Sequence, residues 1–229
     1  MYDLLVQGGG GLLIQPELSL VGIREFQKTA HALLLDLEFT CWEGSLKEGW
    51  PDPARPPEVI EIGGVAYDLD AEKSLASFAT FVRPRLNPVL SAYRRSLVHV
   101  SQTDIENAPR LPEALKQFAE WETQLRVPSL PTCSWGVNDR LFLARDARRQ
   151  NCVDPFAARP HIDLRPLVRL AAGFSLNSFP DRDEVRRVLS LSPNLDRHRA
   201  LADALDLGQF CRIVKRRRIG AKKVSESDS

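Results

Sequence analysis

The stretch that most narrows the fold is His31-Ala-Leu-Leu-Leu-Asp-Leu-Glu-Phe-Thr40. Ala32, Leu33, Leu34, Leu35 and Leu37 leave no polar face, so the run reads as a strand buried on both sides. Such a strand needs a covering layer above and another below. Side chains alternate along a strand, so Asp36 and Glu38 point the same way. Two carboxylates there lose hydration and repel each other. A divalent cation that prefers oxygen ligands would offset both costs. One short segment therefore points to a layered α/β fold and to a metal site.

Composition limits the alternatives. The chain has 229 residues, enough for one sizeable domain, and its 43% apolar and 27% charged content is that of an ordinary soluble protein. No apolar run approaches the ~20 residues that span a bilayer. The start, Met1-Tyr-Asp-Leu-Leu-Val, lacks the basic opening and small-residue cleavage site of a secretory leader. Neither a membrane partner nor secretion is expected. Cys41, Cys133, Cys152 and Cys211 are scattered, which reads as reduced thiols in a cytoplasmic protein. The net charge of +1 excludes a uniformly basic nucleic-acid binder. Locally, Arg212, Lys215, Arg216, Arg217, Arg218, Lys222 and Lys223 form a basic stretch free of acids. It suits phosphate contacts, and equally a solvated helix end that complements the helix dipole.

Residues 1–30 read as an irregular lead-in; their glycine run at 8–11 is no phosphate loop, because no Gly-Lys-Ser/Thr follows. Residues 31–214 read as the folded domain and 215–229 as a tail, basic and then acidic. Pro51, Pro53, Pro56 and Pro57 make 47–57 a loop. Strands over 59–67 and 75–82, joined by the turn-like 68–73, predict an antiparallel hairpin. Leu111, Leu115, Phe118 and Leu125, opened by Pro112, predict a helix. A short strand over 131–136, a basic amphipathic helix over 139–150 and a brief strand over 161–164 follow. Helices over 181–189 and 197–217 complete an α/β protein with a mixed sheet.

Three further residues carry chemistry. Asp139 stands where a strand passes into a helix, Asp203 lies on the last helix, and His198 precedes it by five positions. Each alone has a plain structural reading: a helix cap, a solvated acid, a structural histidine. In this order, and together with Asp36 and Glu38, they resemble the DEDDh exonuclease family. The closest likeness is to its Eri-type branch, the histone-mRNA and small-RNA 3′→5′ exonucleases and their bacterial relatives. The resemblance runs through Leu35-Asp-Leu-Glu-Phe-Thr-Cys-Trp42, Pro57-Glu-Val-Ile-Glu-Ile-Gly-Gly64 and Phe81-Val-Arg-Pro84. It continues through Ser96-Leu-Val-His-Val-Ser-Gln-Thr-Asp104, Ser134-Trp-Gly-Val-Asn-Asp139 and His198-Arg-Ala-Leu-Ala-Asp203.

The resemblance implies a ribonuclease H-like mixed sheet flanked by helices, with 31–214 as the exonuclease domain. It implies that Asp36, Glu38, Asp139 and Asp203 gather around two divalent cations, Mg²⁺ or Mn²⁺, with His198 as general base. A sister group carries tyrosine four positions before the last aspartate. That position is Arg199 here, which cannot act as a base at neutral pH. The expected substrate is the 3′ end of single-stranded nucleic acid, with RNA favoured over DNA. A DNA-directed exonuclease of proofreading or repair type is the alternative, as is a nucleic-acid-binding adaptor without turnover. Phe39 and Thr40 match the stretch that lies against the terminal nucleotide in the family, although Phe39 equally suits packing. Trp42 and Trp135 suit core packing or base stacking. Glu58 and Glu61 read as hairpin-face residues, with a role in supporting the metal ligands as the alternative, and His161 with Asp163 as strand-end structure. Leu97-Val-His-Val-Ser101, Ala202 and Asp206 depart from the family's usual residues and bear on specificity. Nothing in the sequence declares an oligomeric state.

Overall fold

A computed structural model describes residues 16–97, 100–125, 127, 130–175, 180–192 and 198–217. The elements in chain order are α1 (Pro16–Lys28), β1 (His31–Phe39), α2 (Ser45–Glu48), β2 (Val59–Asp68) and β3 (Lys73–Phe81). Then come α3 (Ala92–Leu97), α4 (Gln102–Glu106), α5 (Leu111–Thr123), β4 (Thr132–Ser134) and α6 (Asn138–Arg149). Last are β5 (His161–Asp163), α7 (Leu164–Ala171), α8 (Arg182–Leu189) and α9 (Ala200–Arg216). The sheet order is β3-β2-β1-β4-β5. The β3-β2-β1 pairings are antiparallel, and β1-β4 and β4-β5 are parallel, so the sheet is mixed as expected.

β1 lies at the centre and is covered on both faces. Ala32 and Leu34 pack with Ile23, Phe26, Val168, Leu207 and Phe210, from α1, α7 and α9. Leu33, Leu35 and Leu37 pack on the other face with Leu115, Phe118 and Leu143, from α5 and α6. Asp36 and Glu38 continue the even-numbered row, so they emerge on the α9 side of the sheet.

The lead-in differs from expectation. Residues 16–28 form α1, whose Ile23 and Phe26 are buried; a spacing of three puts both on one helix face. Residues 1–15 and the glycine run lie outside the described residues. α7 was also not expected. Its Leu164, Leu167, Val168 and Ala171 do have helical spacing, and Pro166 sits in the first turn, where a missing N–H breaks no helical bond. The short α3 and α4 lacked a periodic signal; α4 is set by a capping box between Ser101 and Asp104.

The described part of the basic stretch follows the helix-end reading. Arg212 and Arg216 both pair with Glu72, and Lys215 pairs with Asp70. The Gln27 side chain donates to the carbonyls of Val214 (3.1 Å) and Arg217 (2.7 Å), which closes the end of α9. Residues 218–229 lie outside the described residues. Among the described residues, no helix is long and apolar enough to cross a membrane.

Candidate active site

The site is built where α9 crosses β1 and β2. In the antiparallel register Asp36 faces Gly63 and Glu38 faces Glu61. Gly63 offers no side chain, so the backbone of α9 descends onto the sheet opposite Asp36. A Cβ at 63 would stand only 2.2 Å from the Ala200 carbonyl carbon. Glu61 is buried, accepts the Ala200 N–H at 3.2 Å and pairs with the Arg199 guanidinium at 3.1 Å. A carboxylate at a helix N-terminus complements both the free N–H groups and the dipole. These two contacts seat the first turn of α9 and bring Asp203 over the β1 acids. His198 lies just before that turn in a left-handed conformation (φ 63°), which is uncommon and strained for a residue with a Cβ. Its backbone N–H donates to Asp203 Oδ2 at 2.9 Å.

Among the described residues, Asp36, Glu38 and Asp203 converge so that one carboxylate oxygen from each lies within 4.8 Å of the others. All three are nearly buried, at 6%, 9% and 8% exposure. The Asp139 carboxylate stands outside this close triad. It lies in the first turn of α6, one residue inside the helix rather than at the cap, which is Val137. Burial and the Asp36 charge push Asp139 well above the usual carboxylate range, while the Leu37 backbone N–H favours its charged form.

Burial, aided by the charges of Glu38 and Asp203, raises the Asp36 carboxyl to about 8 against the pull of Arg182. Burial, with Asp203, raises Glu38 to about 7 against Arg94. Asp36 and Glu38 resist ionisation side by side, and the all-oxygen cluster they form with Asp203 suits a hard divalent cation, which relieves the repulsion. A pH dependence follows. Both folded-state pKa values lie above the ordinary ones, so in chelator the folded state is favoured at low pH. Its stability falls as pH rises through about 7 and 8. Metal binding requires the ionised carboxylates, so stabilisation by Mn²⁺ grows across the same window. Thermal melting in chelator is expected to drop by at least roughly 3 °C from pH ~5.5 to ~8.5, with the gain from Mn²⁺ rising over that interval. A melting point in chelator that climbs with pH would contradict this electrostatic picture.

Two arginines complete the electrostatics. Arg94 of α3 is 3% exposed and donates to Glu38 at 2.8 Å. Arg182, the first residue of α8, donates to Asp36 at 2.7 Å and pairs with Asp203 at 3.4 Å. Sequence reading passed over both, since each looks like an ordinary charged residue in a polar run. The only sequence signal was weak: Arg182 follows the cap residue Asp181 at a helix start, a place that favours acids over bases.

The remaining candidates divide by contact. Phe39 turns to the α6 side and meets the Phe142 ring edge-on at 5.3 Å. The Thr40 hydroxyl donates to the Pro56 carbonyl and accepts the Glu58 N–H, tying β1 to the proline loop. Trp42 carries the Arg55 guanidinium at 5.6 Å. Trp135 packs on Phe210 of α9 and carries Arg182 at 5.8 Å. Glu58 is fully buried and accepts the backbone N–H groups of Arg85, Leu86 and Asn87, so it anchors a loop. Asp163 caps α7, and His161 contacts Thr132 and Ser134; both are structural, as expected. Burial holds His161 down to about 4, which keeps it neutral. Asp206 pairs with Arg186 of α8. Val98 and His99 lie outside the described residues.

The exonuclease family model, RNase_T, matches residues 33–209. The chain belongs to the exonuclease family. The 3'-5' exonuclease Snipper of Drosophila melanogaster is 27% identical over 82% of this chain and 71% of its own length. ERI1 exoribonuclease 2 of Danio rerio is 26% identical over 63% of this chain. That match, however, takes in only 28% of the fish protein, so the chain corresponds to a part of such longer relatives. Among solved structures, the nuclease domain of 3'hExo, a DEDDh family member bound to rAMP, superposes with a TM-score of 0.70 at 21% identity. That match covers 82% of this exonuclease and 93% of the solved chain. Cell-death related nuclease 4 superposes with a TM-score of 0.69 at 22% identity, over 80% of this chain and 63% of the other. These likenesses establish the ribonuclease H-like fold expected from the sequence. DEDDh exonucleases use divalent metal ions, and the oxygen triad fits that requirement.

Proposed function

We propose that the protein is a metal-dependent 3′→5′ exonuclease that removes nucleotides from single-stranded RNA ends with two Mg²⁺ or Mn²⁺ ions. The observation that carries this reading is the convergence of Asp36, Glu38 and Asp203, delivered by a central strand and by a helix whose Asp203 lies 165 residues beyond Glu38 in the chain. Asp36, Glu38 and Asp203 hold the ions, and Asp139, from the start of α6, supplies the fourth carboxylate. When bound, such ions stabilise the charge that develops on the attacking and leaving oxygens of an in-line displacement. His198 takes the proton from the attacking water, a task that suits a neutral imidazole near pH 7. Its backbone bond to Asp203 keeps it beside the carboxylates. Phe39, the last residue of β1, and Thr40, just past it, contact the terminal nucleotide in this reading.

RNA is favoured because relatives carry that substrate in their names, such as the human 3'-5' exoribonuclease 1, 30% identical over 59% of this chain. The free thiols of Cys41, Cys133, Cys152 and Cys211 support a reducing, cytoplasmic setting. The pairing of Arg212, Lys215 and Arg216 with Glu72 and Asp70 gives little support to an adaptor that binds without turnover.

The test uses 5′-labelled RNA and DNA oligonucleotides of one sequence. With Mg²⁺ or Mn²⁺ the RNA is expected to shorten stepwise from its 3′ end, faster than the DNA, and to persist in chelator. Faster loss of DNA would overturn the substrate preference, which rests on a contact with the 2′-hydroxyl. No shortening with either ion would overturn the exonuclease reading.

A further inference from the structure

We propose that Arg182 is the metal site's own counter-cation: its guanidinium fills the place between Asp36 and Asp203 that divalent ions require, and the ions bind only as it withdraws. The inference rests on the metal-dependent reading above and adds a residue to it. One guanidinium spans both carboxylates, with Nη2 2.7 Å from Asp36 Oδ1 and Nη1 3.4 Å from Asp203 Oδ1. These are two of the three residues whose oxygens converge as possible ligands. The Trp135 ring carries the Arg182 guanidinium at 5.8 Å, and Trp135 is itself packed on Phe210 of α9. The start of α8 is fixed as well, because Asp181 caps it by accepting the Glu184 N–H at 2.8 Å. Arg182 is therefore placed by structure around it and is not a surface side chain that happens to touch an acid.

A guanidinium and a divalent cation compete for the same lone pairs and repel each other at this range. If metal binds only the fraction of molecules in which Arg182 has withdrawn, its apparent affinity falls by that fraction. The arginine also gives the clustered carboxylates a partner before metal arrives, which limits the cost of burying them. A merely structural tie behaves in the opposite way: removing it loosens the cluster and weakens metal binding. The two roles predict changes of opposite sign.

The experiment is a calorimetric titration of the whole chain with Mn²⁺ near pH 8, comparing wild type, Arg182→Leu and Arg182→Lys, with circular dichroism as a check on folding. Arg182→Leu is expected to bind Mn²⁺ roughly tenfold tighter or more, as release from a competitor occupying the site about nine-tenths of the time requires. Arg182→Lys, which keeps the charge, is expected to stay near wild type. Should Arg182→Leu fail to fold, Arg182→Gln keeps a planar hydrogen-bonding head without the charge and carries the same expectation. Wild-type binding with unchanged or weaker affinity in the uncharged variants would overturn the role of Arg182 alone. Absence of Mn²⁺ binding in every form would overturn the metal-dependent reading itself.

Discussion

Replacing Asp36 with asparagine is expected to lower the rate of 3′-end shortening by about a thousandfold or more, since metal stabilisation of the reacting oxygens is worth several kcal/mol. The change is nearly isosteric, so the effect is one of charge. Asp36 lies on β1 at the centre of the sheet, within 4.8 Å of both other triad members by its ligand oxygen. An amide oxygen there is a poor substitute for a carboxylate in a site that must gather two dications. The fold is expected to survive. Removing Asp36 relieves repulsion within the triad, and Arg182 keeps Asp203 as a partner. Melting curves should therefore stay within a few degrees of wild type in chelator, while the stabilisation by Mn²⁺ largely disappears. Wild-type turnover in a folded Asp36→Asn protein would sink the proposed chemistry. Loss of activity together with loss of the fold would instead show that the residue is needed for structure.

Gly63→Ala is expected to damage both stability and activity, while Gly64→Ala, one residue on, damages much less. A Cβ at 63 meets backbone atoms of α9: Ala200 C at 2.2 Å, Ala200 O at 2.3 Å and Leu201 N at 2.4 Å. Backbone cannot rotate away, so the helix must lift from the sheet. Overpacking of this kind costs about 3 kcal/mol, which lowers the melting temperature by roughly 6–12 °C in a domain of this size. The same displacement moves Asp203 away from Asp36, and a shift of about 1 Å is enough to cost roughly a hundredfold in rate. At Gly64 the Cβ meets Phe118 Cε2 at 2.9 Å, on the opposite face of the sheet, where a ring can shift. Melting curves and initial rates on labelled RNA for the two variants test the contrast. Equal behaviour of both would mean that the close seating of α9 does not control the site.

Much of this was legible in the chain because it is local. The apolar run around Asp36 marked a strand covered on both faces, and alternation placed Glu38 beside it. The hairpin of β2 and β3 and the helices α5, α6, α8 and α9 follow from periodicity and turn residues within short windows. α7 was missed although its apolar spacing is helical, because Pro166 reads as a breaker unless the helix start is known to lie two residues before it. α1 was missed because its apolar face gains meaning only from the elements that cover it, α7 and α9.

What the sequence by itself determined is the chemistry available: four acids, a histidine, and a strand able to carry two of the acids on one face. The tertiary structure decided how those groups meet. It set Gly63 opposite Asp36 so that α9 could approach, and it used Glu61 to hold the first turn of that helix. It also brought Arg182 between two carboxylates that lie 146 and 21 residues away along the chain. These are decisions about distance between segments remote in sequence. They depend on which faces pack and how closely two backbones approach, and no local pattern of side chains encodes that.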